Sequence, residues 1–422
     1  MKVFIETHGC KLNQADTQTI STSFLQKGFT LTDDMYQADA CIINTCTVTH
    51  IADRKARNAL RKAKRINPDC LIVATGCYAQ WAHEKLNQMP EVDLILGNTS
   101  KKDLVDKVQG ILDKKNIKIN SAQLSVIDPI GRTRAMVKIQ EGCDQICAYC
   151  IVPKVRGRER SVEISELITK INTLESEGFK EVVLTGTQLG TYGFEFSNIN
   201  LSVLIKTILE QTTIERIRLS SVQPQEFTTK LLSLWENERL CPHFHIPLQS
   251  GNDYILKKMR RRYTADEFLK SLELVRNTIP DASITTDVIV GFPEETENMF
   301  NQTIKICNQA MFSKIHIFPF SKRPGTSAYY SKNFVENHEI KERSKILEKV
   351  SNHFQDQYLN KMLGKTLKVL WENTKIIKSN QYWIGLSDTY IRVISPSEEL
   401  LQNTIRPTKI DKVELDYLVA KV

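Results

Sequence analysis

The chain has 422 residues, of which 41% are hydrophobic and 25% are charged, so it has room for two or three domains with buried cores. No window approaches the roughly 18 consecutive apolar residues of a membrane span, and the start, MKVFIETHGC, predicts a strand rather than a signal peptide. We therefore expect a cytoplasmic protein without a membrane partner, and the net charge of +8 favours a polyanionic partner.

The N-terminal third alternates between strand-like and helical patterns. The strand-like runs are Val3–Thr7, Ala40–Asn44, Leu71–Ala74 and Leu94–Leu96. Helical patterns lie between them, such as Ala15–Lys27, which Gly28 closes. This alternation predicts an α/β fold with a parallel, doubly wound sheet, in a domain that we place at residues 1–117.

One cysteine stands at the end of each of the first three strand-like runs, and these cysteines, the N-terminal trio, are Cys10, Cys46 and Cys77. Parallel strands bring their carboxyl ends to one edge of a sheet, where ligand sites form, so we expect the three thiols to converge. Three thiolates can hold a metal cluster and leave one iron open to another ligand. Cys41 and Cys70 are instead expected to be buried as small hydrophobic side chains.

Residues 54–65, RKARNALRKAKR, carry seven basic residues and no acidic one. Helical spacing places four arginines on one face: Arg54, Arg57, Arg61 and Arg65. A solvated surface is the usual explanation of such a run. Contact with RNA phosphates is about as well supported, because all the charges have one sign.

A polar, weakly periodic stretch at residues 114–128 predicts a linker. Alternation then resumes, and the strand-like runs are Ala135–Gln140, Val182–Thr185, Ile217–Ser220, His243–Leu248, Ile284–Val290 and Lys314–Pro319. Six consecutive βα units predict a partial (β/α)6 barrel, in a domain that we place at residues 128–358.

The first unit of this barrel contains a second cysteine set, the loop trio, formed by Cys143, Cys147 and Cys150. Disulfides cannot use up an odd set of three, and a structural zinc site normally has four ligands, so a four-iron cluster with an open iron is favoured. The Cx3CxxC spacing, with Tyr149 before the last cysteine, resembles that of radical S-adenosylmethionine (SAM) enzymes. A structural zinc loop is the alternative, although no fourth cysteine or histidine lies nearby in the sequence.

Small polar residues follow the strand-like runs at the end where barrels bind their ligands. The SAM contacts expected there are Thr185, Gly186, Thr187, Ser220, Gln249 and Asp287. The first three would lie against the methionine part of SAM, and the others against its ribose, carboxylate or amine. Taken singly, each of these residue types more often only marks the end of a strand.

Further along the chain, the basic run KKMRRR includes Arg260, Arg261 and Arg262, which we expect to contact phosphate at the rim of the barrel. Residues 361–422 show short alternating runs at Thr366–Glu372, Tyr382–Ser387 and Tyr390–Ile394. These runs predict a small C-terminal β-barrel. RNA binding by that barrel is favoured over a purely structural role.

Seven motifs spread over nearly the whole chain resemble those of the methylthiotransferases, radical SAM enzymes with two iron–sulfur clusters. The motifs are THGCKLNQAD, INTCTVT, ATGCYAQ, EGCDQICAYCIVPKVRGRERS, FHIPLQSG, TDVIVGFP and FSKRPGTSA. The resemblance implies an N-terminal methylthiotransferase domain, a radical SAM core and a C-terminal RNA-binding barrel of the TRAM type. It also implies that all six cysteines of the two trios are cluster ligands. One departure is Glu294, where the family commonly has glycine.

GCKLNQ and YTADEF resemble the family branch that acts on N6-threonylcarbamoyladenosine at position 37 of tRNA, next to the anticodon. The resemblance implies two [4Fe-4S] clusters and SAM as cofactors. SAM would bind the open iron at the loop trio and be cleaved to methionine and a 5′-deoxyadenosyl radical, which takes hydrogen from C2 of the adenine. Sulfur that is methylated by a second SAM and held at the N-terminal trio would then be joined to C2.

The partners implied by this resemblance are the anticodon loop of tRNA and an electron donor protein such as flavodoxin or ferredoxin. The sequence leaves the sulfur source open. Within the family, the alternative substrates are isopentenyladenosine in tRNA and an aspartate of a ribosomal protein. Outside it, the alternative is a zinc-stabilised RNA-binding protein without enzymatic activity.

Overall fold

A computed structural model describes residues 1–115, 133–377, 379–414 and 416–422. The α-helices are α1 (Lys11–Gln26), α2 (His50–Ile66), α3 (Cys77–Trp81), α4 (His83–Asn87), α5 (Leu104–Lys114), α6 (Val152–Arg156), α7 (Ile164–Ser176), α8 (Leu201–Gln211), α9 (Thr229–Leu232), α10 (Asp253–Lys258), α11 (Ala265–Thr278), α12 (Glu297–Ala310) and α13 (Asn337–Lys361). The strands are β1 (Lys2–Thr7), β2 (Thr30–Thr32), β3 (Ala40–Thr45), β4 (Leu71–Gly76), β5 (Leu94–Leu96), β6 (Arg134–Lys138), β7 (Gln140–Glu141), β8 (Arg160–Ser161), β9 (Glu181–Thr185), β10 (Arg216–Leu219), β11 (His243–His245), β12 (Ser283–Val290), β13 (Lys314–Pro319), β14 (Thr366–Ile377), β15 (Asn380–Ser387), β16 (Arg392–Ser395), β17 (Ile405–Lys409), β18 (Lys412–Glu414) and β19 (Tyr417–Val419).

The described residues form two compact units. The first unit comprises the described part of residues 1–132 together with Glu141–Glu159 and Ser321–Tyr329. The second comprises Thr133–Gln140, Arg160–Phe320 and the described part of 330–422. None of the described helices combines the length and the apolar character that crossing a bilayer requires.

The core of the first unit is a five-stranded, all-parallel sheet in the order β2-β1-β3-β4-β5. Every residue of β3 and β4 is buried, as expected for strands covered on both faces. One face packs against α2, α3 and α4 through Leu60 and Tyr78, and the other packs against α1 and α5 through Phe24 and Leu104. The predicted doubly wound sheet is therefore confirmed.

Two details of this unit bear on the predictions. Helix α1 begins at Lys11 rather than at Ala15, because the polar residues Asn13 and Asp16 of its first turns are buried and hide the apolar period. Cys41 and Cys70 are buried, as expected, with their Sγ atoms 3.2 Å apart. The linker predicted at 114–128 lies outside the described residues from 116 onward, as do the domain limits predicted at 117 and 128.

The second unit contains six parallel strands that follow the chain order. Strands β6, β9 and β10 form one three-stranded sheet and β11, β12 and β13 form another. A parallel bridge between Ser221 and His245 lies at the junction. Strand β11 ends at His245 rather than at Leu248, because Pro247 has no amide proton and the amide of Leu248 donates to the hydroxyl of Thr286 instead. The predicted partial barrel is confirmed.

A buried ion cluster lies at the amino end of this barrel. Glu181 accepts hydrogen bonds from Arg218 and forms an ion pair with Arg216 at 2.6 Å. Burial alone would raise the pKa of Glu181, but the two guanidinium groups lower it to about 2. Both arginines also donate to the carbonyl of Ser387, which anchors the C-terminal sheet to the barrel.

After α13, the chain forms a six-stranded sheet in the order β17-β14-β15-β16-β19-β18. Trp371, Val393 and Leu418 pack on its inner side, so the alternation seen in the sequence reflects one buried and one exposed face. The predicted C-terminal β structure is present, with β17 and β18 as the outer strands of the sheet in the described residues.

Candidate metal centres and cofactor site

The three strands that precede the N-terminal trio are neighbours in the sheet. Cys10 lies just before α1, Cys46 follows β3, and Cys77 is the first residue of α3, directly after β4. The strand order reverses between β1 and β3, and the crevice outside the carboxyl ends of the strands at such a switch point is where open α/β sheets bind ligands. The topology thus brings the three cysteines to one edge of the sheet.

Contacts at this edge of the sheet agree with a placement of Cys10, Cys46 and Cys77 close together. A Cβ built on Gly9 would lie 2.8 Å from the Sγ of Cys46, so only glycine fits beside this thiol. Burial, together with the neighbouring thiols of Cys10 and Cys77, raises the pKa of Cys46 to about 12. Cys46 and Cys77 are buried, whereas Cys10 is exposed. The trio therefore has one side open to solvent.

The loop trio is held by its own backbone. The amide of Cys143 donates to the carbonyl of Gly157 at 3.2 Å, and the amide of Cys150 donates to the carbonyl of Cys147 at 3.1 Å. Burial raises the pKa of Cys143 to about 11, with the thiol of Cys147 as a further cause. Cys147 is buried and the other two cysteines are partly exposed.

The chemistry of both donor sets fits an iron–sulfur cluster. None of the six cysteines forms a disulfide in the described residues, and soft thiolates are the ligands that iron–sulfur clusters take. Among the described residues, no three His, Cys, Asp or Glu side chains are grouped to hold one metal ion. Each cysteine of a four-iron cluster binds a different iron, so such a cluster does not require three thiols around one ion.

A buried arginine, Arg156 of α6, connects the surroundings of the two trios within the first unit. Its guanidinium donates to Glu141 at 2.6 Å, to Asp16 at 3.1 Å and to the side-chain oxygen of Asn13. Glu141 precedes the loop trio, while Asn13 and Asp16 lie on the helix that follows Cys10. Arg156 is therefore placed to fix one cysteine set relative to the other.

Charges around Arg156 are balanced inside the protein. Burial alone would lower the pKa of Arg156, but the thiols of Cys77 and Cys10 and the carboxylate of Asp16 hold it above its ordinary value. Lys101 contacts the same carboxylate at 2.6 Å, and burial lowers the pKa of that lysine. Two cations thus lie near the N-terminal trio, where they favour a negatively charged thiolate–metal centre.

Residues predicted to contact SAM lie in the second unit at the carboxyl ends of strands. Thr185 ends β9, and the amides of Thr187 and Gln188 both donate to the side-chain oxygen of Gln140 at 2.9 Å. A Cβ on Gly186 would lie 2.9 Å from the carbonyl of Gln140, so the backbone passes too closely for a larger residue. This loop is therefore held rigidly beside the first barrel strand.

Of the other predicted SAM residues, Ser220 and Gln249 follow strands β10 and β11, whereas Asp287 lies within β12. Ser220 directly follows β10 and its amide donates to the carbonyl of Leu184 at 3.0 Å, while the amide of Gln249 donates to the carbonyl of Asp287 at 2.8 Å. In the described part of the chain, the hydroxyls of Thr187 and Ser220 are buried without a hydrogen-bond partner. Buried hydroxyls of this kind fit a ligand that supplies the missing partner.

Two features at this edge were not found from the sequence. The carboxylate of Asp287 lies 3.2 Å from Nε2 of His245. Gln249 has a φ of +65° and Glu294 a φ of +70°, in the left-handed region that glycine favours. The family's glycine at the position of Glu294 therefore has a conformational reason. Here the side chain accepts from Tyr254 at 2.6 Å instead.

The arginines predicted to bind RNA lie in two separate places, on helix α2 and in the turn between α10 and α11. On α2, Arg54, Arg61 and Arg65 are exposed, while Arg57 is half-buried and donates to the hydroxyl of Tyr78 at 2.7 Å. In the second run, Arg260 and Arg262 are exposed, but Arg261 donates to Gln223 and Tyr263.

The chain is similar to known protein families and to individual named proteins. Residues 2–97 match the uncharacterized protein family UPF0004, and residues 137–307 match the radical SAM superfamily. A protein of Aquifex aeolicus named threonylcarbamoyladenosine tRNA methylthiotransferase MtaB is 38% identical over 93% of this chain and 96% of its own length. A Bacillus subtilis protein of the same name is 33% identical over 98% of this chain and 95% of its own length.

A further relative carries a different substrate in its name. The tRNA-2-methylthio-N(6)-dimethylallyladenosine synthase of Clostridium tetani is 34% identical over 92% of this chain and 88% of its own length. Among solved structures, the radical SAM methyltransferase TsrM of Kitasatospora setae superposes with a TM-score of 0.55 at 13% identity, over 78% of this chain and 76% of that one. This likeness concerns the fold alone. From the near full-length relatives and the radical SAM match, we conclude that the chain belongs to the radical SAM methylthiotransferase family.

Proposed function

We propose that this enzyme converts N6-threonylcarbamoyladenosine to 2-methylthio-N6-threonylcarbamoyladenosine at position 37 of tRNA. The observation that carries the proposal is 38% identity, over nearly the whole of both chains, to a protein named for that substrate. The second candidate is the isopentenyl (dimethylallyl) base, favoured by the Clostridium tetani relative at 34% identity.

We assign the loop trio to the cluster that binds SAM and the N-terminal trio to the auxiliary cluster. When bound, the first cluster supplies the electron that cleaves SAM, and the second holds the sulfur that is joined to the base. The thiolates of the chain hold the two centres, with Arg156 between their loops. The proposal is supported by the presence of both trios in one compact unit.

SAM is proposed to bind the polar edge of the barrel through the residues predicted from the sequence. The hydroxyls of Thr187 and Ser220, which lack partners among the described residues, would donate to polar atoms of SAM. The carboxylate of Asp287 would accept from its amine or ribose. Gln249 and the backbone of residues 185–187 would shape the remaining wall.

The tRNA is proposed to bind through its phosphates. Arg54, Arg61 and Arg65 are exposed along α2, and Arg260 and Arg262 are exposed in the second unit. We divide the chain into the proposed domains 1–117, 128–358 and 361–422. The C-terminal sheet, in the last of these, would add a TRAM-like surface for RNA. A reduced flavodoxin or ferredoxin would supply the electrons.

Mass spectrometry of tRNA nucleosides from cells with and without this protein tests the proposal. We expect the 2-methylthio derivative of threonylcarbamoyladenosine to disappear in the absence of the protein, with its unmethylthiolated precursor accumulating. Disappearance of 2-methylthio-isopentenyladenosine instead would assign the second candidate. If neither nucleoside changes, peptide mass analysis of ribosomal proteins would test the aspartate branch of the family.

A further inference from the structure

A cavity of about 770 Å³ opens in the first unit beside the N-terminal trio. Its volume is in the range of small-molecule sites. Two of its walls come from segments that follow cluster cysteines: the start of α2, four residues after Cys46, and helix α3, which begins at Cys77. Trp81 lines the cavity and also packs against Cys77. The cavity is therefore close to the proposed sulfur site, because helix α3 contributes residues to both.

Positive charge dominates the lining of this cavity. Arg323 is fully buried and pairs with Asp53 at 2.7 Å, so these two charges cancel. Arg54, Arg57 and Lys85 remain, against the single carboxylate of Glu84. The lining thus carries a net positive charge.

Among these cations, Arg57 is the best placed to bind a ligand in the cavity. The hydroxyl of Tyr78, a nearly fully buried residue, accepts from one of its terminal nitrogens at 2.7 Å, and its guanidinium lies 5.8 Å from the centre of the Tyr78 ring. In the described part of the chain Arg57 makes no ion pair. The Nε of Arg323, in the same lining, is buried without an acceptor among the described residues. Both guanidinium groups fit an anionic or polar ligand in the cavity.

The substrate of the proposed function supplies such a ligand. The threonylcarbamoyl group on N6 carries one carboxylate, a hydroxyl and a urea-like linkage, whereas an isopentenyl group carries no charge. C2 and C6 of adenine flank the same ring nitrogen, N1. When C2 faces the sulfur site, the N6 substituent consequently extends a few bond lengths to one side of it. A basic cavity beside the N-terminal trio is in a suitable position to receive it.

We propose that this cavity is the specificity pocket for the N6 substituent and that Arg57 binds its carboxylate. This inference rests on the proposed function. The planar guanidinium can bind a carboxylate through two parallel hydrogen bonds, with Tyr78 fixing its orientation. Arg54 adds charge at the cavity wall. An isopentenyl group would leave these cations without a partner, which disfavours it.

The test uses the reconstituted holoenzyme and three anticodon stem-loop RNAs, whose position 37 carries adenosine, threonylcarbamoyladenosine or the methyl ester of the latter. Binding is measured without reductant, so that no turnover occurs. We expect wild-type protein to bind the free-acid RNA most tightly. Arg57→Gln should remove roughly ten- to a hundredfold of that preference and leave binding of the other two RNAs unchanged.

Matched variants separate the possible causes. Lys107→Gln removes the same charge from α5, on the opposite face of the sheet, and should keep the preference. Tyr78→Phe removes the hydrogen bond that orients Arg57 but keeps the cation, so it should lose less of the preference than Arg57→Gln. If Arg57→Gln weakens all three RNAs equally, the cavity binds a backbone phosphate and the carboxylate assignment is overturned. Unchanged binding of all three RNAs overturns the site altogether.

Failure of this inference can be told apart from failure of the proposed function. Turnover of the free-acid RNA by wild-type protein is scored separately, by the mass of the 2-methylthio product. If that product forms and Arg57→Gln keeps the wild-type preference, only the pocket assignment fails. If wild-type protein methylthiolates only an isopentenyladenosine RNA, the proposed function fails.

Discussion

The two cysteine trios of this protein are assembled in opposite ways. The loop trio lies within residues 143–150, and local backbone hydrogen bonds from Cys143 and Cys150 set its shape. The N-terminal trio is spread between residues 10 and 77, and it comes together only because β1, β3 and β4 are neighbours in a parallel sheet. A local site depends on spacing in the sequence, whereas a dispersed site depends on the complete fold of its domain.

The two trios also differ in how far their cysteines are buried. Two cysteines of the N-terminal trio are buried among strand ends, whereas two of the loop trio are partly exposed. Arg156 nevertheless joins their surroundings through Glu141 on one side and Asp16 on the other. The two sites thus belong to one compact unit but should respond differently to substitution. The following substitutions test that difference.

Cys147→Ala should have the largest effect. It removes one of three thiolates from the loop trio, so we expect complete loss of SAM cleavage, measured as 5′-deoxyadenosine formed by the chemically reduced enzyme. Methylthio product should be lost with it. Cys307→Ala is the matched control, because it removes a fully buried thiol outside both trios and should leave the iron content unchanged. Wild-type 5′-deoxyadenosine formation by Cys147→Ala would remove the loop trio from the mechanism.

Cys46→Ala should separate the two halves of the reaction. We expect 5′-deoxyadenosine formation to persist, since the loop trio is intact, and the methylthio product to disappear. Iron content should fall from about eight to about four per chain if the auxiliary cluster is lost. Formation of the methylthio product by this variant would contradict the assignment of the N-terminal trio.

The loop trio and most strands could be predicted from the sequence, because each has a local signal. Spacing marks Cys143, Cys147 and Cys150, and apolar runs mark strands such as Leu94–Leu96, which the structure reproduces residue for residue. The dispersed trio could be predicted only because its cysteines end consecutive strands, so that the rule for parallel sheets applied to them.

Residues that act through buried polar contacts could not be predicted in this way. Asn13 and Asp16 face inward on α1, where the apolar period of a helix would place hydrophobic side chains, and they therefore made the first turns resemble a loop. In the sequence Arg156 stands among other cations, Lys154, Arg158 and Arg160, and nothing local distinguishes it. Only its three partners, which are more than ten residues away in the sequence, show that it is a buried connector.

A pair of glycine substitutions should produce smaller, selective effects. Gly9→Ala would place a Cβ 2.7 Å from the Cβ of Cys46 at a φ of +100°, whereas Gly142→Ala would place one against the backbone of Arg158 at a φ of +78°. We expect each variant to lose part of the iron of the nearer centre. SAM cleavage should therefore fall in Gly142→Ala, and the methylthio product with it, whereas Gly9→Ala should lose methylthio product and keep SAM cleavage.

Gly110→Ala serves as the control for this pair, since its Cβ would meet no atom within 4 Å. It lies inside α5, where alanine is the better helix former, so its iron content and both activities should equal those of the wild-type protein. A loss of SAM cleavage in Gly9→Ala as large as that in Gly142→Ala would mean that the two centres do not assemble independently.

The smallest effect is expected for those arginines of α2 that are proposed to contact RNA and do not line the cavity. Arg61 makes only a long ion pair with Glu91, at 3.6 Å, and Arg65 makes none in the described residues. Double substitution by glutamine should weaken tRNA binding and lower the slope of log affinity against log salt by about 2, one for each lost phosphate contact. Lys107→Gln together with Lys114→Gln removes two charges from α5, on the opposite sheet face, and should leave the slope unchanged. Equal slopes for both double variants would make the basic face of α2 an ordinary solvated surface, and the cavity around Arg57 would then be the only anion site proposed in the first unit.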